Sequence, residues 1–104
     1  MDILSFTNRS IHFQLGTIGT EIGRAISWHH NPSFGNPDDC IQRATDYLNI
    51  LLSLKTLSFG KRRELARIKE VLNDWYYGDN IYQTSDHDWD NYFLPFSIAA
   101  NRFK

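Results

Sequence analysis

The sequence predicts an all-α protein, a small antiparallel bundle of three long helices with a short, proline-kinked helix at the C-terminus. Three observations lead to this prediction. Apolar residues recur every three or four positions along most of the chain, which is helical spacing. No stretch alternates apolar and polar residues as a half-buried strand would. The connections between the periodic segments are short, which favours antiparallel neighbours within one domain spanning residues 1–104.

The first periodic segment is predicted to be a helix from about Thr7 to His30, ended by Pro32. Gly16, Gly19 and Gly23 lie beside its apolar stripe, and each glycine costs a helix about 1 kcal/mol relative to alanine. We expect them to form a smooth face that another helix approaches closely, and a break near Gly16 is the alternative. The stripe itself has spacings of three and four and comprises Ile11, Leu15, Ile18, Ile22 and Ile26.

A second helix is predicted to begin at Pro37, where the local signal is the strongest in the chain. Asn36 is typical of an N-cap, proline is favoured at the first helical position, and two aspartates follow on the positive end of the helix dipole. Its second half, Leu48–Leu57, is apolar nearly all round, so we expect it to be the most buried element. Gly60 is predicted to stop it.

The remaining helices are predicted on either side of a polar connection. The third runs from Lys61 to about Tyr76 and is closed by Gly78, with an apolar face made of Leu65, Ile68, Leu72 and Trp75. Ser85 and Asp88 then resemble a capping box that opens a C-terminal helix. Its aromatic face comprises Trp89, Tyr92, Phe93 and Phe96. An interior proline costs roughly 3 kcal/mol, so we expect a short helix, a kink at Leu94–Pro95, and a last turn or two toward Phe103.

The composition excludes several classes of protein. A formal charge of -1 gives no overall attraction to nucleic acid or to acidic membranes. No apolar run approaches the roughly 20 residues of a membrane span, so no membrane partner is expected. Cys40 is the single cysteine, which excludes an internal disulfide, and no signal peptide is evident; both observations favour a cytoplasmic location. The sequence has no motif that would predict a cofactor.

Arg24 and His29 form the pattern R-x4-H, with His30 beside them. This pattern resembles the short motif of the HEPN ribonucleases, which are small helical bundles. The resemblance implies that the arginine and the histidine act on an RNA phosphodiester across a dimer. Ala25 stands where that family has a polar residue, and the pattern lies in the first helix rather than the later ones. The alternative is that both histidines simply suit the negative end of the helix dipole, and no catalytic residue is predicted.

A basic stretch is the second candidate site. Six basic residues and one acid lie between Lys55 and Lys69, a local charge of +5. Cations in the first turn of a helix oppose its dipole, and a bound anion would reverse that cost. Phosphate, a nucleic-acid backbone and an acidic protein surface are all suitable anions, and the residues that would bind them are Lys61, Arg62, Arg63 and Arg67. A solvated basic turn is the alternative.

An acidic stretch balances the basic one. Five aspartates and no lysine or arginine lie between Asp74 and Asp90, a local charge of −5. A chain with separated charges could pair with its own copies or with a partner. Asp86, Asp88 and Asp90 reproduce the first ligand positions of a calcium loop, but the turn glycine and the final glutamate are missing. We therefore expect no metal site.

Aromatic residues make up 14% of the chain, and tryptophan and tyrosine often anchor interfaces. Trp75, Phe93 and Phe96 are predicted to lie in the core, whereas the candidate partner-binding residues are Tyr76, Tyr77, Tyr82 and Trp89. The sequence thus favours a non-enzymatic interaction module that binds another protein or its own copies. The alternative is a nucleic-acid-associated protein that uses the Lys61–Lys69 stretch, with ribonuclease action at Arg24 and His29 as its extension.

Overall fold

The architecture is that of an all-helical chain. The computed structural model describes the backbone of residues 3–102 and the side chains of residues 3–96, 98 and 99. Within this range the chain forms five α-helices and one 3-10 turn, and it contains no strand. The helices are α1 (Ile3–Thr7), α2 (Ile11–His30), α3 (Pro37–Leu52), α4 (Phe59–Tyr76) and α5 (Asp86–Arg102), and the 3-10 turn is Pro32–Phe34. No described helix has the length and apolar character needed to cross a membrane.

The predicted first helix begins at Ile11 rather than at about Thr7, and the short helix α1 that precedes it was not predicted. Ser10 caps α2, because its hydroxyl accepts a hydrogen bond from the backbone N–H of Phe13 at 3.2 Å. The side chain of Gln14 donates to the carbonyls of Phe6 and Thr7, at 3.1 and 3.4 Å, and so satisfies the end of α1. Ser10 directly precedes Ile11, the first member of the apolar stripe, and Gln14 follows three residues after Ile11, so the apolar period alone does not mark the boundary between α1 and α2.

The glycines of α2 do not break it, and one of them has the predicted role. The helix is continuous from Ile11 to His30, which excludes a break at Gly16. A Cβ placed on Gly19 would lie 2.6 Å from the Cβ and Cγ atoms of Phe93 in α5. Real Cβ atoms do not approach other atoms so closely, so α5 packs here only because residue 19 has no side chain. The prediction of a smooth face for a close helix is confirmed at Gly19.

The turn between α3 and α4 differs from the prediction. α3 ends at Leu52 rather than near Leu57, and α4 begins at Phe59. Gly60 therefore lies in the first turn of α4 instead of stopping α3. Ser58 is the N-cap of α4, since its hydroxyl accepts from the backbone N–H of Lys61 at 3.2 Å. The turn is stabilised from α4, where the guanidinium of Arg62 donates to the carbonyls of Leu52 and Leu54.

The C-terminal helix is longer than predicted. α5 comprises 17 residues and continues through Pro95, so it is comparable in length with α3 and α4 rather than a short appendage. The predicted start is confirmed: the backbone N–H of Ser85 donates to the Asp88 carboxylate at 2.9 Å, and the N–H of Asp88 donates to the Ser85 hydroxyl at 3.1 Å. Pro95 is exposed to solvent, where its missing N–H leaves no buried acceptor unpaired. Phe103 lies outside the described residues.

The core is built around α2, which packs against both α3 and α5, while α4 packs against α3. The predicted stripe of α2 is confirmed as its core face: Leu15, Ile18 and Ile22 are fully buried. One buried charge accompanies these apolar contacts. Glu21 of α2 lies 2.9 Å from Arg43 Nε of α3 and 3.0 Å from Arg24 Nη1. The remaining buried hydrophobic residues are Phe6, Ala25, Cys40, Ile41, Ala44, Leu48, Leu51, Leu65, Ile68, Leu72, Trp89 and Phe93.

Candidate functional site

Arg24 and the two histidines do not converge within one chain. Arg24 pairs with Glu21 of its own helix, on the side of α2 that faces α3. The ring of His30 turns toward α5, where its Nε2 lies 3.4 Å from Asp86 Oδ2, and the His29 ring stands edge-on to it with centroids 5.8 Å apart. No described contact joins Arg24 to either histidine. The guanidinium that an R-x4-H site would aim at phosphate is engaged with a carboxylate.

The histidines instead line a cleft where four helix ends meet. The last turns of α2 and α4 and the first turn of α5 enclose a cavity of about 340 Å³, whose lining includes Ala25, Ile26, His29, His30, Trp75, Tyr76 and Asp86. The start of α3 closes one side, because the Tyr76 hydroxyl donates to the Asp38 carboxylate. Burial, followed by this hydrogen bond, raises the pKa of Tyr76. We call this cavity the end cleft.

The basic stretch is less available to an anion than its charge suggests. Arg62 is committed to the carbonyls at the end of α3. Lys61 lies 3.4 Å from Glu64, and the Arg67 guanidinium lies 4.7 Å from the centre of the Tyr82 ring. Arg63 is exposed and lies 5.9 Å from the ring centre of Phe59. The structure therefore distributes the four predicted anion-binding residues among separate contacts.

The acidic stretch is likewise used by the fold. Asp88 accepts hydrogen bonds from Ser85 in the capping box, and these bonds lower its pKa. Asp86 contacts His30. Asp90 is exposed and does not join Asp86 and Asp88 in a cluster: among the described residues, no group of three histidine, cysteine or acidic side chains could hold a metal ion.

The four predicted partner-binding aromatics occupy different environments. Tyr77 and Tyr82 are exposed, and Tyr76 is half-buried in the end cleft. Trp89 is only 5% exposed and stacks on Phe93, so it belongs to the core. The capping box starts α5 at Asp86, so Trp89 lies one helical turn before the buried Phe93 and on the same inward face. The indole N–H of Trp89 has no acceptor among the described residues.

Trp89 also forms the floor of a groove that was not predicted from the sequence. α4 and α5 approach each other through Trp75 and Trp89 at one end and through the Tyr92 hydroxyl, 2.7 Å from Glu64, at the other. Between these contacts lies an open cavity of about 450 Å³, lined mostly by carbon. Its lining comprises Glu64, Arg67, Ile68, Val71, Thr84, Asp88, Trp89 and Tyr92. We call it the α4–α5 groove. Its only signal in the sequence is Val71, an apolar residue outside the predicted stripe of the third helix.

A loop with several internal hydrogen bonds borders this groove and presents apolar side chains to solvent. The carboxylate of Asp74 accepts hydrogen bonds from the backbone N–H groups of Ile81 and Tyr82, at 2.8 and 3.0 Å. The side-chain amide of Asn80 accepts a hydrogen bond from the backbone N–H of Thr84 at 2.9 Å and donates one to the carbonyl of Thr84 at 3.0 Å. Ile81 is nevertheless 77% exposed. The loop thus exposes a large apolar residue to water on a backbone that is hydrogen-bonded to Asp74.

Comparison of the chain with protein-family models, with curated proteins and with solved structures finds no match.

Proposed function

We propose that this protein is an interaction module that binds an amphipathic helix of another protein in the α4–α5 groove. The observation that carries the proposal is the apolar lining of an open groove between two helices. Two helices with a gap between them offer the surface into which a third helix lays its apolar face. Ile68 and Trp89 form the floor, and the half-buried Val71 forms a wall.

The rim of the groove supports the same proposal. Glu64, Arg67 and Asp88 surround the apolar floor with charges of both signs, which is the arrangement of a polar rim around an interface core. Ile81 and Tyr82 extend the apolar surface beyond the groove, and their loop is already ordered by Asp74. A preformed surface binds with less loss of conformational entropy than a flexible one.

We also propose that the helices form an antiparallel bundle in a single domain. Three contacts between α2 and α5 support opposite directions, since the order of residues in one helix is reversed in the other. His30 meets Asp86, Gly19 meets Phe93, and the His12 and Phe96 rings are 6.3 Å apart. A cytoplasmic location remains part of the proposal and depends on the sequence alone.

The experiment places a charge in the groove. Val71→Glu adds a carboxylate to its apolar wall, and Ala66→Glu adds the same charge at an exposed position of the same helix. We expect the parent protein and Ala66→Glu to retain one protein partner in stoichiometric amount on affinity purification, and Val71→Glu to lose it. Circular dichroism of both variants establishes that each is folded. Equal retention of the partner by both variants, or no stoichiometric partner for any of them, would contradict the proposal.

Nucleic-acid binding is the second candidate, and one observation favours it. Phe59 is 76% exposed beside Arg63, with Lys55 exposed nearby in sequence. An exposed ring can stack on a base while the cations contact phosphate. Binding of this kind weakens steeply with salt, and neutralising Lys61 and Arg63 should reduce both the affinity and the salt dependence. If neither changes, this candidate loses its mechanism.

The ribonuclease activity that the R-x4-H resemblance implies is the extension of this second candidate. It would require Arg24 to leave Glu21 and to reach an RNA phosphate together with His29, most simply from two copies of the chain. An RNA cleavage assay on the parent, Arg24→Ala and His29→Ala proteins tests it. Cleavage that is equally fast in all three proteins would remove these residues as catalysts.

A further inference from the structure

We propose that this chain also associates with its own copies head to tail, the end cleft of one copy receiving Phe59 and Arg63 of the next. This inference does not depend on the α4–α5 groove, because the two surfaces involved lie at the ends of the helices. It rests on three features of the structure: the separation of charge between the two ends, the composition of the end cleft, and the exposure of Phe59.

The fold gathers acids at the cleft end and cations at the other. Segments 25–42 and 70–101 contain aspartates and a glutamate but no lysine or arginine. Their stretches 30–38 and 76–86 meet at the end cleft, through the contacts of Tyr76 with Asp38 and of His30 with Asp86. From there α5 continues along α2 to its first turn, where the His12 and Phe96 rings are 6.3 Å apart. The opposite end holds the turn between α3 and α4 and the basic first turn of α4. Each copy therefore carries two ends of opposite charge.

The end cleft has the chemistry to receive an aromatic ring next to a cation. Trp75 and Tyr76 give it aromatic walls, and Ala25 and Ile26 give it an aliphatic one. Asp86 contacts His30 through one carboxylate oxygen and Asp38 contacts Tyr76 through one, so each keeps a second oxygen for an incoming guanidinium. Asp86 is about half-exposed, with a relative side-chain accessibility of 48%.

The same chain supplies the matching side chains. Phe59 is the first residue of α4 and is 76% exposed, an unusual position for an apolar ring of its size. Arg63, one turn later on the same face, lies 5.9 Å from it. A ring and a guanidinium that project together match an apolar cleft with carboxylates at its rim. Since the two surfaces differ, the contact is heterologous and each added copy exposes a fresh end cleft.

Sedimentation velocity on the full chain tests this proposal at two ionic strengths. At about 10 mM, where charges act over about 30 Å, we expect the mean mass to rise continuously with protein concentration beyond that of a dimer. At about 1 M, where screening reduces this distance to about 3 Å, the dissociation constant should rise at least tenfold. A monomer at both ionic strengths up to about 1 mM protein would overturn the proposal. So would a mass that levels off at two chains, because that indicates a twofold dimer.

Two end variants identify the surfaces. One is Phe59→Ser with Arg63→Gln, which removes the projecting groups, and the other is Asp38→Asn with Asp86→Asn, which neutralises the cleft. Each variant alone should be monomeric. Mixed in equal amounts, they retain one intact pair of surfaces and should form a 1:1 dimer and nothing larger. A mixture that stays monomeric would overturn the head-to-tail arrangement.

The matched controls neutralise charges away from both ends. Lys69→Gln lies midway along α4 and Asp46→Asn lies midway along α3. Both should associate like the parent chain, and a loss of association equal to that of the end variants would show that net charge, not the proposed surfaces, is responsible. Val71→Glu should also associate normally. Loss of partner binding by Val71→Glu with unchanged self-association separates the two proposals.

Discussion

The close approach of α5 to Gly19 makes a prediction that two glycines of the same helix can test. Gly19→Ala introduces a Cβ 2.6 Å from the Cβ and Cγ of Phe93. Gly23→Ala introduces the same group one turn later, where no atom beyond the adjacent residues and backbone of its own helix lies within 4 Å. Both substitutions remove the same backbone flexibility from the unfolded chain, so the two variants differ only in what the new methyl group meets.

The expected magnitudes have opposite signs. Alanine is favoured over glycine in a helix by about 1 kcal/mol, so Gly23→Ala should raise the free energy of unfolding by up to that amount. At Gly19 the same gain is offset by overpacking, which typically costs about 1–3 kcal/mol. The Cβ of Phe93 is fixed to its backbone and cannot swing aside, so α5 itself must move. We expect Gly19→Ala to be about 2 kcal/mol less stable than Gly23→Ala.

Urea unfolding followed by circular dichroism measures this difference directly. In a thermal scan of a chain of this size, each kcal/mol of difference in the free energy of unfolding shifts Tm by about 4–8 °C. Combining Gly19→Ala with Phe93→Ala should relieve only the contacts with the ring, because alanine at position 93 keeps the Cβ that lies 2.6 Å from the new methyl group. If Gly19→Ala is as stable as Gly23→Ala, the packing of α5 on α2 described above is wrong.

Three further predictions concern side chains that the fold commits to structure. Arg62→Met should lose the charged hydrogen bonds to the end of α3 and lower the free energy of unfolding by about 1.5–3 kcal/mol, whereas Arg63→Gln should leave it nearly unchanged; urea titrations compare the two. The capping bonds hold the pKa of Asp88 below its usual 3.8, so its contribution to stability is present above that pH and is lost as the pH falls through the lowered value. Asp88→Asn should therefore destabilise the protein at pH 7 and have little effect near pH 2, and a constant difference across that range would contradict the assignment. Cys40 is fully buried, and burial followed by the charge of Glu21 raises its thiol pKa; a thiol reagent should modify it only on unfolding, and rapid modification of the native protein would show that this part of the core opens.

Much of the fold could be predicted because local chemistry decides it. The N-cap Asn36, whose side chain accepts from the backbone N–H of Asp38 at 3.0 Å, and the capping box of Ser85 and Asp88 are pairs of residues within three positions of each other. The apolar stripe of α2 could be predicted from the spacing of its apolar residues alone. These features depend on no contact from elsewhere in the chain, which is why the residues alone indicated them.

The features that escaped prediction depend on distant contacts. Gly60 is a typical helix stop, yet Ser58 and the reach of Arg62 back to α3 place it inside α4. α5 continues through Pro95 because that proline faces solvent, which periodicity does not reveal. The α4–α5 groove is a space between helices, and a gap has no sequence pattern of its own. The candidate sites were therefore harder to predict than the helices that carry them.

The position of α2 between α3 and α5 has a consequence for how the chain acquires its structure. α3 follows α2 almost immediately, but the Phe93 that covers Gly19 comes 74 residues later. Contacts at such separations form slowly, because a long loop must close before they contribute. During synthesis, the glycine face of α2 remains uncovered until the segment after residue 86 has left the ribosome. Over that interval the nascent protein presents an apolar helix face to chaperones and to neighbouring chains, and damage to α5 would prolong this exposure.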